Sequence, residues 1–192
     1  MMPFRISLQI CWIFIAIFLG GCSTSYAQSI PYIDYISVED GLSHSAVRCI
    51  FQDQDDFIWV GTSDGLCRYD GYGFKIFRAK ENSNHTLQDN WITAIAEDKS
   101  RQLWIGTHRG LSRYNTLSGN FQTALYHDGL RDSLVPADLL IKDVKADKSG
   151  NTFVAMEYTG LLLFEHGEET GTLIPLWQGE KAIKQYNIQA LA

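Results

Sequence analysis

Apolar residues along the chain occur in short runs that are separated by clusters of Gly, Asp, Asn and Ser. The runs are rich in β-branched and aromatic residues, which favour strands, and the clusters are typical of tight turns. Two of the runs, residues 57–60 and 103–105, are apolar without alternation, so both faces of each strand should be buried. This pattern predicts an all-β protein whose sheets are covered on both sides.

One segment of this pattern is repeated along the chain. Residues 53–70 return as residues 98–115 and, more loosely, as residues 147–164. The aspartates that begin the three copies are 45 and 49 residues apart, within the range of propeller blades. In the third copy Phe153 replaces the tryptophan and Ala155 replaces the first glycine. The first two copies share Asp53/Asp98, Trp59/Trp104, Gly61/Gly106, Thr62/Thr107, Gly65/Gly110, Leu66/Leu111, Arg68/Arg113 and Tyr69/Tyr114.

Each copy is predicted to form one blade of four short antiparallel strands. A lone strand over residues 32–38, within the lead-in 28–46, is interpreted as the strand that completes the last blade of a ring. Residues 177–192 restart the first-strand pattern with Ile188 and Leu191, and they are interpreted as the start of a fourth blade. The predicted boundaries are 47–78 for blade 1, 92–126 for blade 2 and 141–176 for blade 3, with loops at 79–91 and 127–140.

The predicted fold class is therefore a β-propeller with about three blades and one strand of a fourth, which is an incomplete ring. Propellers close with typically four to eight blades, and open sheet edges invite pairing with other chains. We accordingly expect this sequence to be the N-terminal piece of a longer protein.

Residues that recur in the copies are predicted to be scaffold, because a catalytic residue should break a repeat pattern. The recurring aspartates Asp53, Asp98 and Asp147 stand at turns, where a carboxylate binds nearby backbone amides. Trp59 and Trp104 are predicted to lie in the cores of their blades. Two pairs of glycines have predicted backbone roles: close approach at Gly61 and Gly106, and positive φ at Gly65 and Gly110.

The net charge and the motifs of the sequence argue against several classes of function. The net charge is −6 and Lys and Arg do not cluster, which argues against a nucleic-acid surface. The sequence has no Walker loop, G-x-S-x-G or H-E-x-x-H motif, and we predict no catalytic residue, metal or cofactor. Cys49 and Cys67 are placed on the first and third strands of one blade, roughly 10 Å apart, which is too far for a disulfide.

Residues 1–27 are predicted to be a targeting segment. Arg5 precedes an unbroken apolar run over residues 10–19, which suits a signal peptide and is too short to span a bilayer. Two cleavage sites compete: a small-residue site that ends at Ala27, and a lipobox-like stretch that ends at Cys22 and would leave this cysteine lipidated. An uncleaved anchor is the third alternative, and in each case the rest of the chain is exported.

The repeated pattern D-x-x-G-x-[LI]-W-[IV]-G-T-x-x-G-L-x-[RK]-[YF] resembles the two-component regulator propeller repeat, and residues 38–53 resemble the start of that domain. The resemblance covers residues 32–192. It implies the periplasmic sensor portion of a hybrid histidine kinase, homodimeric and anchored in the inner membrane by a transmembrane helix of the parent protein. Such sensors detect oligosaccharides and control genes for polysaccharide use. The alternative is an exported or lipid-anchored propeller that binds partners without a kinase.

Ligand contacts are expected where loops differ on a repeated scaffold. Arg109 is the leading candidate, because a guanidinium can hold a sugar carboxylate or sulfate through two hydrogen bonds, and a solvated loop residue is the alternative. Trp91, which follows a polar loop, is interpreted either as a platform for a sugar ring or as a core residue. The predicted contacts lie in the loops between second and third strands and are Asp64, His108, Arg109, Glu157 and Tyr158.

Overall fold

The computed structural model describes residues 34–81, 83, 85–128, 133–174, 177–178 and 181–182. These residues form strands and turns, and they contain no helix that is long and apolar enough to cross a membrane. The predicted signal peptide with Cys22 lies outside the described residues, as do Ile188 and Leu191 of the predicted fourth blade.

Blades 1 and 2 are separate four-stranded antiparallel sheets whose strands follow chain order. This arrangement confirms the prediction of an all-β chain built from four-stranded blades. The first strand of each blade lies beside the first strand of the next, and we call these the inner strands. The strands are β1 (Val47–Gln52), β2 (Ile58–Thr62), β3 (Gly65–Tyr69) and β4 (Phe74–Phe77), then β5 (Ile92–Glu97), β6 (Gln102–Thr107), β7 (Gly110–Asn115) and β8 (Asn120–Thr123).

The third sheet has six strands in the order β10-β9-β14-β13-β12-β11, and β9 pairs parallel with β14. The sequence instead predicts that blade 2 extends to residue 126 and that residues 127–140 form a loop, and this prediction is wrong, because β9 and β10 lie there. A further antiparallel pair follows the sheet. The strands are β9 (Leu125–Asp128), β10 (Ser133–Pro136), β11 (Ile141–Ala146), β12 (Thr152–Met156), β13 (Gly160–Phe164) and β14 (Thr170–Ile174), then β15 (Trp177–Gln178) and β16 (Lys181–Ala182).

The chain leaves blade 2 at Ala124, whose side chain is fully buried. The amide of Ala124 donates to the carbonyl of Leu111, and its carbonyl accepts from the amide of Ala137. The amide of Leu111 in turn donates to the carbonyl of Ala137. Three backbone segments can meet this closely because two of the residues are alanine. Tyr126 of β9 then packs in the same buried cluster as Trp104, so the hairpin joins blades 2 and 3.

The lead-in does not form the predicted lone strand where the structure describes it. Residues 34–41 contain no strand, and residues 32–33 lie outside the described part of the chain. Ser37 donates from its amide and its hydroxyl to Asp40, at 2.8 and 2.9 Å, and these hydrogen bonds lower the pKa of Asp40. Leu42 then packs on blade 1, so this part of the lead-in docks as a turn and loop.

Neighbouring blades approach closely at a glycine. A Cβ placed on Gly61 would lie 2.6 Å from Cγ2 of Ile92, and one placed on Gly106 would lie 2.7 Å from Cγ2 of Ile141. Both isoleucines begin their inner strands and both are fully buried. Val47 holds the matching position in blade 1 and is 42% exposed, since no preceding blade covers it among the described residues. The glycine therefore sets how near one blade comes to the next.

An aspartate ties the first turn of a blade to the blade core. Asp53 accepts hydrogen bonds from two backbone amides through Oδ1, and its Oδ2 accepts from Nε1 of Trp59 at 2.6 Å. Asp98 accepts two amides in the same way, and Nε1 of Trp104 donates to its Oδ2 at 2.9 Å. Both tryptophans are buried. The predicted turn role of the aspartates is confirmed, and the link to the tryptophan adds a second role.

Blade 3 keeps the turn and changes the side-chain partner. Oδ1 of Asp147 accepts from the backbone amides of Ser149 and Asn151. The side chain of Phe153 has no N–H to donate, and Nδ2 of Asn151 donates to Oδ2 of Asp147 at 3.0 Å instead. This aspartate is exposed, whereas Asp98 is 7% exposed, so the contact in blade 3 is made in water.

The two described cysteines are free. Cys49 lies in β1 and Cys67 in β3, and β2 separates them, which agrees with their predicted places. Burial raises the pKa of Cys49 to about 12, so this thiol stays protonated and unreactive at neutral pH.

We expect Asp98→Ala to lower the free energy of unfolding by roughly 2–4 kcal/mol, because the buried indole of Trp104 and two turn amides lose their acceptor. Asp147→Ala is the matched control and should cost clearly less, since water reaches the groups that Asp147 leaves. Urea unfolding followed by circular dichroism measures both variants. Equal losses would show that the link to the tryptophan contributes nothing.

We expect Gly106→Ala to destabilise the protein by about 1–3 kcal/mol, because the added Cβ presses on Ile141. Gly73→Ala is the control, since a Cβ there meets no atom within 4 Å. In an Ile141→Ala background the cost of Gly106→Ala should shrink, because the crowded methyl group is gone. Thermal unfolding of the four variants measures this coupling, and an undiminished cost would contradict the contact.

Candidate functional site

A β-bulge recurs near the start of every inner strand. The pairing of the inner strand with the second strand skips one residue in β1, β5 and β11. The skipped residues are Arg48, Thr93 and Lys142. A bulge changes the direction of a side chain, and bulges are common next to binding sites.

The three bulged residues line one cleft of about 310 Å³, which we call the bulge cleft. His108, from the turn between β6 and β7, lines it as well, and Leu140 and Ile141 complete the lining. No carboxylate is among these lining residues. Each polar side chain of the lining can donate a hydrogen bond, and two of them, Arg48 and Lys142, carry positive charge.

Trp91 packs against two residues of the bulge cleft. Its ring stacks on that of His108, with 4.7 Å between centroids and 13° between the planes. The guanidinium carbon of Arg48 lies 5.0 Å from the centroid of the Trp91 ring. The amide of His108 also donates to the carbonyl of Trp91 at 3.0 Å. Trp91 is half-buried, and it orients His108 and Arg48 at the cleft.

Two buried polar atoms at this place have no hydrogen-bond partner among the described residues. They are Nε1 of Trp91 and Oγ1 of Thr93. Buried polar groups are usually paired, because an unpaired one costs about 1–3 kcal/mol of lost hydration. Since Thr93 lines the bulge cleft, its hydroxyl marks a position that a ligand or a water molecule would satisfy.

Of the two positive side chains at the bulge cleft, one is paired with a carboxylate of the described residues and the other is not. Lys142 is paired with Glu157 at 2.8 Å, and each side chain is 22% exposed. Glu157, a predicted loop contact, thereby contacts a residue of the bulge cleft without lining the cleft itself. Arg48 forms no ion pair with the described residues, and Asp143 lies in a neighbouring cleft further along β11. The part of the bulge cleft next to Arg48 therefore keeps a positive charge.

Asp64 is used by the scaffold. Its carboxylate is paired with Arg78 at 3.0 Å and accepts a hydrogen bond from Nδ2 of Asn90 at 3.4 Å. These contacts connect the turn between β2 and β3 to the loop that leads into blade 2. Asp64 is not among the residues that line the bulge cleft, so its predicted role as a ligand contact gains no support from this geometry.

His108 and Arg109 share one turn and have different surroundings. The turn is fixed by Thr107, whose hydroxyl donates to the carbonyl of Gly110 at 2.7 Å and accepts from the amide of Arg109. Gly110 adopts a φ of 138°, as predicted for this position. His108 lines the bulge cleft, whereas Arg109 is exposed outside its lining. Tyr158, on the matching turn of blade 3, is 59% exposed.

Arg48, Thr93 and Lys142 are not among the contacts predicted from the sequence. They differ in type from blade to blade, and the alternation of apolar and polar residues does not reveal a bulge. Their shared position in the repeat could have identified them, since each follows the Val or Ile that begins an inner strand. Alignment of the three inner strands at that residue would have placed these side chains at one end of the assembly.

A larger cleft of about 710 Å³ lies at the outer strand of blade 2. Its lining includes Arg113, which is 7% exposed and whose Nε has no partner among the described residues. Arg68 leaves the same atom unpaired in blade 1, so this feature belongs to the repeat and does not single out the cleft. The described residues contain no group of three or more His, Cys, Asp or Glu that could hold a metal ion.

Two segments of the chain, residues 41–64 and 86–109, match the family model described as Two component regulator propeller. They are two component regulator propeller repeats. Each repeat runs from the segment before an inner strand to the turn after the second strand, so it contains the bulge, the aspartate that holds the tryptophan, and the glycine at the blade contact. The resemblance predicted from the repeated pattern is thereby confirmed.

A segment of the chain is also similar to part of a known kinase. Over 39 residues the chain is 56% identical to Histidine kinase P4 from Formosa agariphila. This match covers 20% of the chain and 3% of that protein. The similarity therefore concerns one short segment and does not transfer the activity of the whole kinase.

The propeller fold is shared with solved extracellular domains assigned to hybrid two component systems of B. thetaiotaomicron. One domain, of BT3049, has a TM-score of 0.63 and 23% identity, and the match covers 74% of this chain and 20% of that one. Another, of BT4673, has a TM-score of 0.59 and 22% identity, and the match covers 79% and 19%. The chain thus spans about a fifth of these domains, and the likeness shows a common fold.

Proposed function

We propose that this chain is the N-terminal part of an extracellular sensor in a hybrid two component system, and that it binds an oligosaccharide without catalysing a reaction. The two propeller repeats carry the proposal. The fold that it shares with extracellular domains assigned to such systems supports it, as does the short match to a histidine kinase.

In this proposal residues 1–27 direct the chain out of the cytoplasm. The propeller then works on the periplasmic side of the inner membrane, as part of a homodimeric parent protein. Ligand binding controls genes for polysaccharide use through the kinase of the parent. Cys22 favours one alternative, in which a lipid anchor holds the propeller as a binding module that has no kinase.

The geometry of the loops favours binding. Side chains that change between blades stand on turns whose backbone contacts repeat, as Thr62 and Thr107 show by donating to Gly65 and Gly110. A rigid support with variable tips is suited to ligand recognition. His108 lines a cleft of hydrogen-bond donors, which can bind acceptor oxygens of an oligosaccharide, and Arg109 follows it at the tip of the turn.

We expect the exported part of the parent protein to bind at least one member of a panel of neutral, uronic-acid and sulfated oligosaccharides, as measured by calorimetric titration. Arg109→Ala should weaken that binding by roughly 10- to 100-fold, since a hydrogen bond to a charged group contributes about 1.5–3 kcal/mol. Lys99→Ala is the matched control, because it removes one positive charge from the turn between β5 and β6, at the other end of the strands.

Circular dichroism of each variant establishes that it is folded. Failure of every oligosaccharide to bind the wild-type protein would overturn the proposal and favour an interaction module instead. Unchanged affinity in folded Arg109→Ala would remove Arg109 from the site and leave the bulge cleft as the remaining candidate.

A further inference from the structure

We infer that the bulge cleft binds an oxyanion, a carboxylate or sulfate group, through Arg48, Thr93 and Lys142. The inference deepens the proposed function. It rests on that function only in assuming that the carboxylate or sulfate belongs to an oligosaccharide. The preference for a negative charge rests on the described residues of the cleft alone.

The lining of the bulge cleft matches a ligand that brings several acceptors to one point. A guanidinium offers five N–H donors, an ammonium three and a hydroxyl one. Glu157 contacts Lys142 through Oε1, and an ammonium has three N–H donors, so Lys142 can donate to a ligand as well. A sugar hydroxyl donates as well as accepts, and within this lining only Thr93 and His108 have a side-chain atom that can accept. A carboxylate or sulfate needs no acceptor in return.

The unpaired hydroxyl of Thr93 gives the oxyanion a defined position. This oxygen is buried and has no partner among the described residues. Arg48 belongs to the blade before Thr93 and Lys142 to the blade after it. An oxyanion that accepts from Thr93 is therefore flanked by the guanidinium of Arg48 on one side and by the ammonium of the Lys142–Glu157 ion pair on the other.

The side chain of Arg48 is preorganised for such a ligand. Its guanidinium lies over the ring of Trp91, and that ring stacks on His108. A cation that is already ordered against an aromatic ring loses less freedom when it binds an anion. The stacked rings of Trp91 and His108 thus orient the guanidinium of Arg48.

The test is a calorimetric titration of the full chain with sodium sulfate and, separately, with sodium glucuronate, at low ionic strength and with sodium chloride as the control salt. We expect millimolar binding of at least one of the two anions. Arg48→Ala and Lys142→Met should each weaken it about tenfold, as expected for loss of a charge-assisted hydrogen bond. Arg48 is exposed, so its replacement should leave the fold intact, and Lys99→Ala should leave the affinity unchanged.

The outcomes separate the two anions and the two proposals. Tighter binding of sulfate would assign a sulfated ligand, and tighter binding of glucuronate would assign a uronic acid. If neither anion binds, or if Lys99→Ala weakens binding as much as Arg48→Ala, the inference is overturned. Binding of a neutral oligosaccharide in the same preparation would then still support the proposed function. Anion binding without any oligosaccharide binding would support the anion site and contradict the proposed function.

Discussion

The close approach of neighbouring blades at a glycine is the contact on which the rest of the structure depends. Because Gly61 and Gly106 have no side chain, the first residue of the next inner strand packs directly on their backbone. This contact buries Ile92 and Ile141 completely. It also brings the bulge that follows each isoleucine close to the bulge of the adjacent blade. A wider spacing would move the lining residues of the bulge cleft apart. The core and the candidate site thus depend on the same packing.

Blade 3 shows how far the repeat can change while the sheet remains. Ala155 stands where the other blades have the glycine, and it is fully buried. Phe153 removes the indole donor, and the amide of Asn151 takes its place on Asp147. The turn survives because it is made by backbone amides, which every sequence supplies, whereas the side-chain partner can differ when the core residue differs.

The strands of blades 1 and 2 and the buried tryptophans followed from the sequence because they depend on residues that are near one another in the chain. The hairpin of β9 and β10 did not, since the pattern around Tyr126 is the same whether that strand ends blade 2 or joins β14. The lead-in failed as a strand because Ser37 and Asp40 close a turn there. At the site, His108 was visible as a difference between copies, whereas the bulge that places Arg48 leaves no mark on the apolar pattern.

A bulged residue is the position of an inner strand that the packing needs least. In blade 2 the residues on either side of Thr93, Ile92 and Ala94, are buried, so a change in either disturbs the core. The bulged residue itself is skipped by the ladder, and in the three blades it is Arg, Thr and Lys, which share no packing property. Its charge can therefore change from blade to blade at little cost to the fold. Since all three of these side chains line one cleft, the repeat provides rigid geometry and still leaves one side chain per blade for recognition.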